Sequence, residues 1–381
     1  MRTLNLALQG GGSHGAFTWG VLDALLADPR IAIEGLSGTS AGAVNAVALA
    51  SGYAKGLADG TDPRRCARDS LARIWDQIAA WGTVGSIQQR FGSMLWGSLP
   101  PELAPTNIWV NAMRGRISPY QSNPLDINPL RSLLEREIDF EAITRTPQLK
   151  VFVSATQVRT GRAVIFTGNE LNAQAVTASA CLPMLFHAVT IDGEDYWDGG
   201  YSVNPPLTPL IGQCACADLM LVQINPLRHD GTPQKPDEIL DRVNELTFNA
   251  SLLTQMRSID LINTLLSEGA LHPGRAKQVL LHRIDGGDEM KLYPPATKSS
   301  TDAALIRNLF EIGQQRTQHW LAHNFEAIGR HATVDIRRDY LDGGRAEVSG
   351  HARVGVVLTR PQRRIAAFLP WLARVFKKIL R

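Results

Sequence analysis

Residues 31–50 read IAIEGLSGTSAGAVNAVALA, with Gly38-Thr39-Ser40-Ala41-Gly42 at their centre. An apolar, strand-like run (Ile31 to Leu36) precedes the pentapeptide, and a helix-like run of small residues (Ala41 to Ala50) follows it. A G-x-S-x-G sequence between strand and helix marks a sharp turn that lifts a serine hydroxyl out of a sheet. The flanking glycines suit such a turn, because a Cβ at either position would collide with neighbouring backbone. The helix opening at Ala41 turns its positive end toward the serine. The same five residues also suit a plain packing turn; the strand before and the helix after favour the nucleophile.

Toward the N-terminus the same rhythm recurs. Leu4 to Leu8 reads as a buried strand, Gly10 to Gly15 as a glycine-rich turn, and Ala16 to Ala27 as a helix with Phe17, Val21, Leu22 and Leu25 on one face, stopped by Asp28-Pro29. Two successive strand–turn–helix units predict an α/β fold with a mostly parallel sheet. Downstream, Val151–Thr156 and Ala163–Phe166 read as a strand pair, Val189–Trp197 as a hairpin about Asp192-Gly193, and Leu219–Ile224 as a core strand. A long helix is predicted from Asp237 to Ser267, a strand from Gln278 to Ile284, a helix from Thr301 to His323, and strand-like pieces with glycine turns from Ala332 to Val357. This organisation predicts a catalytic domain over 4–225, a helical and mixed extension over 237–359, and a tail over 360–381. Residues 59–120, rich in Gly, Pro and Trp (Trp75, Trp81, Trp96, Trp109), suit either an insertion covering a site or ordinary packing with long loops.

Charge is unevenly distributed. Seven basic residues and no acid lie between Arg360 and Arg381, more than the whole chain's net +3, so the body is net acidic and lacks a nucleic-acid footprint. Ile365, Phe368, Leu372, Val375, Phe376 and Ile379 fall on one side of the tail and Arg374, Lys377, Lys378 and Arg381 on another. That pattern suits an anionic membrane surface or lipid aggregate, or a helix docked on the body with its charges in solvent. No apolar run is long enough to span a bilayer and no secretory signal is visible. Cys66, Cys181, Cys214 and Cys216 lack a disulfide or zinc spacing and read as reduced thiols. The expectation is a cytoplasmic protein, peripheral at most on the inner membrane surface.

Gly10-Gly11-Gly12-Ser13-His14-Gly15 carries two readings. As G-x-G-x-x-G after a strand, with Glu34 further on, it fits a dinucleotide fingerprint and hence an oxidoreductase. As three consecutive glycines it offers bare N–H groups to an oxygen that becomes negative in acyl transfer. Asp198-Gly199-Gly200 ends a predicted hairpin strand and can present a carboxylate to a cleft, although an isolated Asp-Gly turn needs no function.

Together, Gln9-Gly10-Gly11-Gly12-Ser13-His14-Gly15-Ala16, Gly38-Thr39-Ser40-Ala41-Gly42-Ala43 and Asp198-Gly199-Gly200, with Ala178-Ser179-Ala180-Cys181-Leu182-Pro183 before the aspartate, resemble the patatin-like phospholipase family. The resemblance covers about residues 4 to 225 and implies a three-layer α/β sandwich. It implies a dyad in which Ser40 attacks the ester and Asp198 is its base. It also implies an oxyanion hole from Gly10, Gly11, Gly12 and Ala41, with Gly15, Gly38, Gly42, Gly199 and Gly200 as motif glycines. His14 departs from the pattern, since many members carry Arg or Lys in this loop.

The implied substrate is a fatty acyl ester of a phospholipid or lysophospholipid, cleaved without cofactor or metal. A neutral glyceride or a storage polyester is the nearest alternative, and a catalytically idle membrane-binding module is a third class. For a carboxylate to act as base near neutral pH, Asp198 must be desolvated enough to raise its pKa. His229 offers a Ser…Asp…His order, and His319 and His323 an i, i+4 pair, but the first lies in a polar linker and the second lacks the Glu of a zinc-binding helix.

Overall fold

Leu4, Leu6 and Leu8 enter one buried cluster and Ala7 another, the period-two alternation of a strand covered on both faces. In the computed structural model, which describes residues 1–96, 118–228, 231–272 and 274–341, this strand, β1 (Arg2–Leu8), lies inside an eight-stranded sheet. The other strands are β2 (Ile31–Thr39), β3 (Lys150–Gln157), β4 (Ala163–Phe166), β5 (Val189–Ile191), β6 (Glu194–Asp198), β7 (Asp218–Gln223) and β8 (Leu280–Asp285). Their order is β5-β6-β3-β2-β1-β7-β8, with β4 also on β3. The five strands β3-β2-β1-β7-β8 are parallel, while β4, β5 and β6 pair antiparallel. The chain steps from β1 through β2 to β3 on one side of β1, then returns to place β7 on the other. Ligand sites form outside the carboxyl ends of strands at such a reversal.

Helices cover both faces. On one lie α1 (Gly15–Ala27), α2 (Ala41–Ala58), α3 (Pro63–Trp96) and α5 (Ala303–Asn324), and on the other α4 (Pro236–Ser267). The result is the three-layer α/β architecture with a mostly parallel sheet expected from the sequence, with a helical C-terminal region. β8 extends the sheet, and α5 crosses α1 where Gly20 and Gly313 face each other's backbone, so a side chain on either would collide. Residues Met1–Gly343 thus form one compact unit that holds both the 4–225 segment and the described part of 237–359.

Two stretches differ from the sequence expectation. Residues 63–96 form one long helix in place of a loosely periodic segment. Trp75 is buried in it and donates to Asn45 Oδ1 at 2.9 Å, so the start of the insertion is core, not cover. Residues 97–117 of this segment lie outside the described residues. Near Ala332, no strand forms among the described residues; Arg337–Leu341 makes a π-helical turn instead, held by the Arg337–Asp260 ion pair at 3.0 Å. Tyr340 is buried there and its hydroxyl donates to Gln223 Oε1 at 2.7 Å, so tertiary contacts outweigh β propensity.

Arg64, at the start of α3, closes the end of α1. Its guanidinium donates to the carbonyls of Leu25, Leu26, Asp28 and Ile31. Leu25, Leu26 and Asp28 lie at the end of α1, where a helix leaves carbonyls unpaired and a cation meets the negative end of the dipole; Ile31 opens β2. Arg64→Met removes every donor and leaves part-buried carbonyls bare. We expect a loss of roughly 3 kcal/mol in a urea melt; an unchanged midpoint would show that solvent replaces the guanidinium.

Candidate active site

Three strand ends build the cleft. The glycine loop leaves β1, Ser40 follows β2, and Asp198 ends β6 opposite Ala155 of β3. Leu8 pairs with Gly38, which sets the glycine loop and the serine turn side by side at the carboxyl edge of the sheet.

Ser40 has φ 54° and ψ −123°, a conformation that β-carbon residues adopt only when the surroundings enforce it, at a cost of about 1–3 kcal/mol. The enforcement is visible. A Cβ on Gly38 would strike the backbone of Gly42, and one on Gly42 would strike the carbonyl of Leu8. A Cβ on Gly10 would come within 2.7 Å of the Thr39 oxygen and 2.8 Å of Ser40 Cβ, so the glycine loop and the serine turn are in contact. Asn45 in α2 ties the two together from behind, donating to the carbonyls of Gly15 (3.0 Å) and Ala41 (3.1 Å). Gly15 lies against Ala41 Cβ and the Trp75 ring. Gly199 lies against Ser154, and Gly200 against the Phe248 ring.

Asp198 is 1% exposed and its Oδ1 accepts the Gly200 N–H at 2.7 Å. Burial pushes its pKa up to about 7, even though the Gly200 N–H and the nearby Ser40 side chain pull it down. The desolvated aspartate inferred from the sequence is therefore present, and Ser40 and Asp198, distant in the chain, meet. The Asp198 backbone is pinned too: its N–H donates to the Cys181 carbonyl at 2.8 Å and its carbonyl accepts from Thr156 Oγ1 at 2.8 Å.

The glycine loop divides in two. The Gly10 N–H donates to Asn204 Oδ1 at 2.7 Å, so this amide is already committed and cannot serve an oxyanion as the sequence reading assigned it. Among the described residues no acceptor takes the N–H of Gly11, Gly12 or Ala41. Gly12 sits at φ 56° in the left-handed region that glycine tolerates. His14 is no cation: burial and then the nearby Lys298 bring its pKa down to about 4, and its Nε2 lies 2.7 Å from Thr297 Oγ1.

Several residues that hold this site escaped sequence reasoning. Ser179 Oγ accepts the Ser40 N–H at 2.9 Å, and Asn204 and Asn225 both reach the Gly10 peptide. Ser179 stood within a quoted family segment, but no spacing rule singles out its hydroxyl. Glu34, the acid of the dinucleotide reading, sits about four residues down β2 from the cleft edge, roughly 13 Å away. It accepts from the N–H groups of Ala215 (2.7 Å) and Cys216 (2.8 Å) and pairs with Lys150 at 3.2 Å. It is not at the glycine loop, and the fingerprint loses its ribose acid.

His229 lies outside the described residues. The His319 and His323 rings lie tilted against each other with centroids 4.3 Å apart, and no group of three metal-ligating side chains occurs among the described residues. All four cysteines are free thiols. No described helix is long and apolar enough to cross a membrane.

A family model described as patatin-like phospholipase matches residues 6–211. No curated protein matches the chain. Among solved structures, VipD from Legionella pneumophila is similar, at 15% identity over 81% of this chain and 67% of that one, with a TM-score of 0.33. At that score the likeness bears on neither the site nor the activity.

Proposed function

The chain belongs to the patatin-like phospholipase family of lipid acyl hydrolases, and from that premise we propose that it cleaves fatty acyl esters of phospholipids or lysophospholipids through Ser40 and Asp198. The observation that carries this reading is that Ser40 lies beside a buried carboxylate, Asp198, and acts on its charge, while burial raises that carboxylate's pKa to about 7. An aspartate of ordinary pKa is too weak a base for a serine hydroxyl, whereas one near 7 is matched to neutral pH.

In the proposed sequence Ser40 Oγ attacks the ester carbonyl as its proton passes to Asp198. The tetrahedral oxyanion accepts from the open N–H groups of Gly11, Gly12 and Ala41 at the positive end of α2. Collapse expels the alcohol, which takes the proton from Asp198. Water then enters, gives a proton to Asp198 and attacks the acyl-enzyme; collapse of the second tetrahedral intermediate releases the fatty acid as Ser40 Oγ takes that proton back from Asp198. Oxygens and protons balance without a metal or cofactor. Met184 and Leu185, 64% and 55% exposed, follow shortly after Cys181, whose carbonyl holds the Asp198 backbone. They give an acyl chain an apolar approach. The basic tail, outside the described residues, is proposed to hold the protein on an anionic lipid surface.

The test is covalent. A long-chain fluorophosphonate should add once per chain, with the adduct on the peptide containing Ser40 in tandem mass spectrometry. Fatty acid should be released from phosphatidylcholine–phosphatidylglycerol vesicles and not from a polyhydroxyalkanoate suspension. An adduct on any other residue sinks the dyad; release from the polyester alone moves the substrate to the neighbouring ester class.

A further inference from the structure

Behind the glycine loop lies a shell of buried amides. Asn225 Nδ2 donates to the Gly10 carbonyl at 2.9 Å, and Asn204 Nδ2 reaches the same oxygen at 3.4 Å. Gln9 Oε1 accepts from the N–H groups of Ile224 and Asn225, both at 2.9 Å. Lys298 reaches this shell. Its Nζ donates to Asn225 Oδ1 at 2.9 Å, and Glu245 Oε1, nearly buried on α4, lies 3.8 Å from the same ammonium. Arg242 pairs with the same Glu245 at 3.2 Å. The Lys298 carbonyl abuts Gly12, so the turn Pro295–Ser299 braces the glycine loop directly. Asn225, Glu245 and Lys298 all lie beyond residue 211, outside the stretch that the family model matches.

The chemistry of this chain is directional. An amide side chain can present oxygen or nitrogen to a given neighbour, but an ammonium only donates. Lys298 therefore fixes Asn225 with Oδ1 toward itself and Nδ2 toward the Gly10 carbonyl. A trans peptide is planar, with its C=O and its N–H pointing in opposite directions. Holding the Gly10 oxygen inward thus holds the Gly11 N–H outward. Hydrogen bonds in series also polarise one another, which makes that N–H a better donor.

We propose that Lys298 and Asn225 are positioning residues for acyl transfer: the ammonium sets the Asn225 amide, the amide sets the Gly10–Gly11 peptide plane, and that plane aims the Gly11 N–H at the oxyanion. The proposal rests on the Ser40 reading above. It places part of the catalytic geometry in the C-terminal third of the chain, in a loop position where His14 supplies no charge.

The full chain is tested with p-nitrophenyl hexanoate. Asn225→Asp separates positioning from architecture, since the carboxylate keeps and strengthens the Lys298 pair but turns an acceptor oxygen on the Gly10 carbonyl. Assayed below its melting temperature, the variant should lose at least about tenfold in kcat with KM within about twofold. Lys298→Met should lose about as much, Lys298→Arg should keep most of the native kcat, and the Lys298→Met/Asn225→Asp double variant should be no slower than Asn225→Asp alone, because the two act in series.

Native kcat in Asn225→Asp, or losses that multiply in the double variant, overturns the proposal, and it does so even if Lys298→Met fails to fold. Ser40→Ala is the control. If it is inactive while Asn225→Asp and Lys298→Met turn over normally, the relay falls and the Ser40 reading stands; if it hydrolyses the ester at the native rate, both fall.

Discussion

Ser40→Ala is expected to fold as the native chain does and to release fatty acid at least about 10⁴-fold more slowly in kcat, with substrate affinity little changed. The size follows from what the hydroxyl does. It forms the bond to the acyl carbon, and among the described residues the Ser40 hydroxyl is the side-chain group that stabilises the charged Asp198 carboxylate. Cys181, whose carbonyl accepts the Asp198 N–H, is no substitute: burial, with the Asp198 charge adding to it, pushes its thiol up to about 12, and its Sγ donates to the His187 carbonyl. The fold should survive because the turn depends on Gly38 and Gly42 and on the Ser179–Ser40 backbone bond, none of which involves Oγ. Ser40→Gly should be equally inactive but more stable by about 1 kcal/mol, since glycine accepts φ 54° without a Cβ clash. Residual turnover within tenfold of native in either variant would remove Ser40 from the chemistry.

Asp198→Asn separates activity from stability in opposite directions. As base, Asp198 must be ionised, so native kcat/KM should rise with pH through about 7 and level off above it. The asparagine cannot take the proton, and kcat should fall by about 10³-fold or more at every pH. Stability follows the other sign. The folded pKa is raised above the ordinary 3.8, so the protonated form favours the fold. That contribution is full below pH 4 and is lost as pH rises through 7, because folding then holds a charge in a buried site. The neutral amide avoids that charge and still accepts the Gly200 N–H. At pH 8 the variant should therefore withstand urea better than the native chain, by a few kcal/mol. The advantage should vanish near pH 5, where native Asp198 is protonated. A native pH–rate profile flat from 5 to 8, or an asparagine variant less stable at pH 8, contradicts the assignment of Asp198 as a desolvated base.

Where the sequence spoke clearly, it did so through local rules. The strand–turn–helix units at 4–27 and 31–50 and the Asp192-Gly193 hairpin depend on side-chain period and on turn residues a few positions apart. They are found where expected. The long helix at 63–96 was less legible because Gly, Trp and small residues blur its period. Its helical state is fixed by what its near end meets: Trp75 against Asn45, and Arg64 on the end of α1. The turn at Arg337–Leu341 is illegible for the same reason: its partners, Asp260 and Gln223, lie 77 and 117 residues away.

The amino-acid sequence by itself determined the architecture, the serine turn, the candidate base and the family, because each is written in contiguous residues whose spacing has a physical meaning. Only the tertiary structure decided which amides remain open, that His14 is neutral, that Glu34 is remote from the glycine loop, and that Asn204 and Asn225 converge on the Gly10 peptide with Lys298 on Asn225. Those outcomes depend on burial and on partners about 70 to 290 residues apart. Desolvation and hydrogen-bond direction are properties of a packed interior and have no counterpart in local sequence.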